Sequence, residues 1–311
     1  MLAYLIRRVI FAALLVFLVS SASLVLARLA PGDFSTALLG DRARPDAVAR
    51  IRAQYGLNRP VADQYRDWIA HAVRFDFGRS WLYDMPVATL VRERAANTAI
   101  LAVTALVAAT LIGLPLGILT GSRRASVMTH VIRGASLVLL SLPPLLTSLL
   151  MVLIAARTGW FPIGGMGSEP ADVIRHLVVP AAALALPIAA MFERLQAQAM
   201  AEVVGQAYVL AAFARGVPRS RIVWRDALKA ALRPTAAVYG LVIGSLLSGS
   251  FAVEVVTSWP GLGRLMLEAL RTRDVYLVAG CAAAGSVFIA LGTLVSDAAL
   301  AVIDPRTREV H

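Results

Sequence analysis

Apolar residues are concentrated in six long runs, at about Val9–Leu29, Thr98–Gly121, Ala135–Ala156, Leu177–Phe192, Thr235–Val253 and Leu277–Ile303. A helix crossing the hydrocarbon core of a bilayer needs about 20 mostly apolar residues. Each run therefore predicts a membrane span, and together they predict an all-α polytopic membrane protein with six transmembrane helices. The fourth run is the least regular, being short and carrying Pro180 and Pro187. Segments that alternate polar and apolar positions are absent, which argues against an outer-membrane barrel. Arg7-Arg8 precede the first run and small residues from Ser20 to Ser23 lie inside it, as in a signal peptide. Its 21 residues nevertheless exceed an ordinary signal core of about 7–15, so it is read as a retained span.

The polar stretches between the runs carry patterns of their own. In the segment 31–97, Asp46 opens a helical pattern with Val48, Ile51 and Tyr55 on one face, ended by Gly56. A second pattern places Val61, Tyr65, Trp68, Ile69, Ala72 and Phe75 at spacings of three and four, an apolar stripe that predicts packing on the protein's own spans or on the bilayer surface. A basic loop at about 193–234 contains the helix formers Leu210, Ala211, Ala212, Ala214 and Arg215, then Gly216 and Pro218, the signature of a short helix and its stop. Arginines follow at 219, 221 and 225. Such a loop is either a solvated connector or a docking element. The expected organisation is an N-terminal segment with the first span (1–30), an external helical segment (31–97) and a five-helix core (98–311) that contains the loop.

Composition agrees with membrane insertion: 59% of residues are hydrophobic and 16% charged. With the N-terminus inside, the inner side carries Arg7, Arg8, Arg123, Arg124 and Arg133, seven basic residues between Arg194 and Arg233, and Arg306 and Arg308. A raw count leaves 16 basic residues outside or near that face, but ten of them fall in the 31–97 segment, and a loop longer than about 60 residues translocates largely regardless of charge. The short loops decide, and they put both termini in the cytoplasm. The net charge of +11 is then a topology signal and an attraction to anionic lipid, with no nucleic-acid footprint implied.

The stretch Gly205 to Pro234, with Tyr208 through Gly216-Val217-Pro218-Arg219, resembles the coupling loop of permease subunits in binding-protein-dependent ABC importers of the dipeptide, oligopeptide and nickel branch. The resemblance continues through Tyr4, Arg7-Arg8, Pro31-Gly32-Asp33, Tyr55-Gly56-Leu57, Arg59-Pro60, Gln64-Tyr65 and Asp76-Phe77-Gly78. Later come Ser258-Trp259-Pro260-Gly261-Leu262-Gly263-Arg264, Arg273-Asp274 and Asp304-Pro305-Arg306 with Arg308. Leu210, Ala211, Phe213 and Asp226 depart from the family's usual residues. The resemblance implies a type I importer permease fold that forms half of a pore in the bacterial cytoplasmic membrane. It also implies a second permease subunit, two ABC ATPase subunits that bind ATP and magnesium, and an extracytoplasmic binding protein that delivers di- or oligopeptides. Nickel, glutathione and other small solutes use similar permeases. The ATPase-coupling residues it implies are Tyr208, Ala211, Ala212, Arg215, Gly216 and Pro218.

No phosphate-binding Gly-x-x-x-x-Gly-Lys-Ser/Thr loop and no His-Glu-x-x-His pair occurs, and the histidines at 71, 130, 176 and 311 are scattered. The chain is thus expected to have no catalytic, cofactor or metal site, and energy for active transport must come from another polypeptide. Candidates for the translocation path are Ser141 and Pro143, where a Pro-Pro pair breaks the third run, Glu254 at the watery end of the fifth, and Asp297 within the sixth. Asp297 serves equally well as a buried hydrogen-bond acceptor. Gly240 and Gly244 form a small-xxx-small pair suited to close helix approach. Cys281 has no partner cysteine and is expected to pack. An ion-coupled secondary carrier would show paired midplane charges or an internal repeat, and a membrane enzyme a convergent set of reactive groups. Neither pattern is evident.

Overall fold

The computed structural model describes the backbone at residues 2–40, 43–74, 76–122 and 126–303, with side chains left out at 2–5, 247–248 and 296–303. Its helices, in chain order, are α1 (Leu2–Leu29), α2 (Phe34–Leu39), α3 (Pro45–Gln54), α4 (Val61–Ala72), α5 (Val87–Ser122), α6 (Val127–Ser141), α7 (Pro144–Thr158) and α8 (Pro170–Val204). There follow α9 (Ala207–Ala214), α10 (Arg219–Arg221), a π-helical turn (Ile222–Ala227), α11 (Leu228–Val256), α12 (Leu262–Thr272) and α13 (Val275–Ile303). Among the described residues there is no strand, only an isolated bridge between Arg79 and Pro86.

Among the described residues, four helices are continuous and apolar enough to cross a membrane: α1, α5, α8 and α13. The other two expected spans are bent. The Ala135–Ala156 run is not one straight helix but α6 and α7, meeting at 112°; the fifth bends by 46° between Leu246 and Gly249. Counting each bent pair as one span gives six. The α6–α7 break follows from Pro143-Pro144: the residue before a proline is driven out of the helical region, and Leu142 and Pro143 are extended while Pro144 starts the next helix. The fourth run gains length instead. Pro180 and Pro187 lie inside a 35-residue helix whose neighbours bury sixteen of its side chains and hold it together despite the missing donors.

Contacts divide the chain into two compact units, 1–99 with 260–290 and 100–259 with 291–311. In the first, the segment 31–97 forms helices that pack together and on the spans. Asp33 closes a capping box with Thr36 at the start of α2, and Arg52 of α3 reaches its carboxylate at 2.6 Å. Burial pushes the Asp33 carboxyl up, but hydrogen bonds from Ser35, the Thr36 N–H and Arg52 outweigh it and hold the group below its ordinary range. As the stripe on α4 predicted, Tyr65, Trp68, Ile69 and Ala72 pack with Leu24 of α1 and Ala279 of α13 on the chain's own spans; Phe75 lies outside the described residues. Asp274 is fully buried and serves two elements. One carboxylate oxygen accepts from the Ser80 hydroxyl at 2.7 Å and from the N–H groups of Trp81 and Leu82; the other caps α13 through the Leu277 N–H.

The second unit is built around α8. Gly113, Gly117 and Gly121 of α5 recur every four residues and bring that helix against the backbone of α8: a Cβ at Gly117 would lie 2.6 Å from Cβ of Gln196 and 2.7 Å from the Glu193 carbonyl. The ladder is one place of close approach; in the expected Gly240–Gly244 pair, a Cβ added at Gly244 would meet nothing within 4 Å, while one added at Gly292 would lie 3.8 Å from the Gly244 N. Across from it Phe192 stacks on Tyr239 of α11 at 4.8 Å, and Tyr239 is hydrogen-bonded to Thr110 at 2.8 Å.

Candidate coupling site

The short helix expected between Leu210 and Arg215 is α9, and its end is built from the backbone. Arg215 is the C-cap, Gly216 follows at φ +77°, the Gly216 N–H donates to Phe213 O at 3.0 Å and the Val217 N–H to Ala212 O at 3.2 Å. These are the two bonds of a Schellman motif, which satisfies carbonyls that a helix end otherwise leaves unpaired. Pro218 then starts α10, which runs through the π-helical turn into α11. A π turn inserts one residue into the helical phase. Here it leaves Ile222, Val223 and Ala227 buried and Trp224 half-exposed.

Beneath α9 lies an apolar cluster that draws on three long helices. Ile118 of α5, Ala199, Met200 and Val203 of α8, and Ala231 of α11 meet Val209, Ile222, Val223 and Ala227, with Ala212, Phe213 and Val217 packed against them. Arg219 adds a polar tie, donating to the carbonyl of Ser122 at the end of α5 at 2.5 Å. The opposite face of α9 is open: Tyr208 is 48% and Leu210 54% exposed, and Ala211, Ala214 and Arg215 are exposed beside them. The structure thus gathers Tyr208, Ala211, Arg215, Gly216 and Pro218 at one surface. Ala212 is different. Expected on the docking face, it is partly buried and turned toward the cluster, because Val209, Ala212 and Phe213 at spacings of three and four must share the inner side. That spacing was the sequence signal for the inner face.

The path candidates lie on different elements. Ser141 donates to the Leu137 carbonyl at 2.9 Å and Pro143 caps α7, both at the α6–α7 break. Glu254, expected to reach water, is instead fully buried in the last turns of α11. The Asp297 side chain lies outside the described residues, as do Arg123, Arg124 and the motif from Asp304 to Arg308. Among the described residues no cluster of His, Cys, Asp and Glu suits a metal ion.

Sequence comparison reaches nearly every residue of the chain. A family model described as the inner membrane component of binding-protein-dependent transport systems matches residues 113–309, and the N-terminal model of such membrane components matches residues 1–102. The oligopeptide transport system permease protein AppB of Bacillus subtilis is 31% identical, the match covering 98% of this chain and 99% of that protein. A putative peptide transport system permease protein of Brucella abortus is 32% identical over 99% of both chains. The oligopeptide transport system permease protein OppB of Mycobacterium bovis is 31% identical over 98% of both.

Proposed function

Because the chain belongs to the inner-membrane components of binding-protein-dependent transport systems, we propose that it forms half of the membrane pathway of an ATP-driven importer of di- or oligopeptides. The peptide reading is supported by relatives so named that align with almost the full length of this chain. A second permease subunit supplies the other half, two ABC ATPase subunits bind ATP and magnesium, and an external binding protein delivers cargo. Both termini face the cytoplasm, so that α9 meets the ATPases.

The observation that carries this reading is the exposed face of α9 on a base that joins α5, α8 and α11. A short helix with a capped end moves as a body. Movement imposed on Tyr208, Leu210 and Arg215 when the ATPases close is therefore passed through Val209, Phe213 and Ile222 to the ends of three spans together. Interiors this closely packed switch between discrete arrangements and do not deform continuously. The Ser141–Pro143 break joins α6 and α7, which pack on α8, and so lies next to the spans that respond.

The test is co-purification of the ATPases with the full complex carrying Leu210→Asp and Arg215→Glu. Loss of ATPase association, with the permease pair intact and inserted, is the expected result. Full association together with normal peptide uptake in proteoliposomes would remove α9 from the mechanism.

A further inference from the structure

A cavity of about 330 Å³ opens between α6 and α8, lined by Arg133, Ser136, Leu137, Glu193, Arg194 and Gln198 among others. We propose that it binds the headgroup of an ethanolamine phospholipid, with Arg133 and Arg194 on the phosphate and Glu193 on the primary ammonium. Both helices change character at its level. On α6 the apolar run starts at Ala135, just after Arg133; on α8 it ends at Phe192, just before Glu193. A cavity at the polar-to-apolar boundary of two spans stands where lipid headgroups stand.

The lining matches such a headgroup in charge and shape. Glu193 is only 2% exposed yet lines the cavity, and one of its carboxylate oxygens accepts from the Thr120 hydroxyl at 2.5 Å, which fixes the group in place. Arg133 is steadied by donating to the Thr120 carbonyl at 3.2 Å. Among the described residues the Arg194 side chain has no ion pair or hydrogen bond, so its donors are available to a ligand. A buried carboxylate in a cavity that two arginines also line makes the site selective: a purely anionic headgroup satisfies the arginines and repels Glu193, whereas phosphoethanolamine offers both an acceptor and a three-donor cation. From the cavity Leu137 and Leu140, one turn apart and exposed on α6, lead toward the apolar part of the helix, where an acyl chain lies. A peptide also carries an ammonium and a carboxylate, but the boundary level and the apolar track favour lipid.

Native mass spectrometry of the delipidated complex, titrated with phosphatidylethanolamine, phosphatidylcholine or phosphatidylglycerol in detergent, tests this. Phosphatidylethanolamine should be retained about tenfold better than phosphatidylcholine, whose quaternary ammonium has no N–H to give Glu193. Glu193→Gln should abolish that preference while leaving lipid bound, and Arg194→Gln should weaken retention of every phospholipid. Arg194 is exposed, so its variant reports on binding even where Glu193→Gln fails to fold. Equal retention of the two zwitterionic lipids, tighter retention of phosphatidylglycerol, or retention unchanged in Arg194→Gln would overturn the proposal. So would displacement by soluble glycerophosphoethanolamine, which would indicate a free headgroup ligand, or by a short zwitterionic peptide, which would indicate cargo.

Discussion

At Gly216 the backbone sits at φ +77° and a Cβ would meet nothing within 4 Å. Any penalty for substitution there is conformational and not steric. A β-branched residue in the left-handed region costs about 1–2 kcal/mol, whereas Asn tolerates it. Gly216→Val is therefore expected to unwind the end of α9 and weaken ATPase co-purification, with Gly216→Asn close to wild type; two variants alike would show that the left-handed turn is not what matters. Asp33 is sensitive to pH. Its folded carboxyl titrates below its ordinary range, so its contribution to stability is complete above the ordinary carboxylate pKa and is lost as pH falls through the lower folded value. The segment of α2 and α3 should loosen in that acid window, read as rising protease cleavage between α2 and α3; Asp33→Asn should flatten the dependence while keeping the cap, since Asn caps a helix as well as Asp does, whereas Asp33→Ala should cost about 0.5–2 kcal/mol at neutral pH. Both residues stood in recognisable motifs. The helix stop at Gly216 was read from the sequence, whereas Asp33 stood there only in a resembling motif and its role as a cap emerged from the structure. The burial of Glu254 was not legible, because the end of a hydrophobic run says how far a helix extends and not what covers it.

Among the elements, spans were legible wherever length and apolarity suffice, and α9 was legible because Gly216 and Pro218 punctuate it. The inclination of α6 to α7 was not. A Pro-Pro pair announces a break but does not set its 112°, which depends on what each half packs against. The glycines show the same difference. Gly113, Gly117 and Gly121 and the pair Gly240–Gly244 satisfy one spacing rule, and only the position of a partner helix distinguishes them. Gly117→Ala places a methyl 2.6 Å from Cβ of Gln196 and must push α5 from α8; overpacking of this kind costs about 1–3 kcal/mol. Gly244→Ala meets nothing within 4 Å, and removing a helical glycine there should be neutral or stabilise by up to about 1 kcal/mol. Thermal unfolding of each purified variant in detergent checks the pair. Equal melting temperatures would mean that the ladder is not a tight contact in the membrane.

For the whole molecule, orientation rests on arginines in short loops, and α8 offers a direct test of it. Its 35 residues, at about 1.5 Å each, exceed the roughly 30 Å hydrocarbon core, so an α8 that crosses carries its flanking residues to opposite sides of the membrane. Trp160 precedes α8 and is 73% exposed; Tyr208 follows it and is 48% exposed. The loop that contains Trp160 is also pinned, since the Gly165 N–H donates to the Thr257 carbonyl at 2.9 Å. Cys281 is the single cysteine of the chain and is buried, so Cys281→Ala provides a background without thiols. On that background Trp160→Cys should react with a membrane-impermeant maleimide in intact spheroplasts, and Tyr208→Cys only in inverted vesicles. The reverse pattern would turn the molecule over and place α9 beyond the reach of any cytoplasmic ATPase. Labelling of both positions from one side would mean that α8 does not cross the bilayer. Only the expected pattern sets α9 where nucleotide-driven closure can act on the ends of α5, α8 and α11.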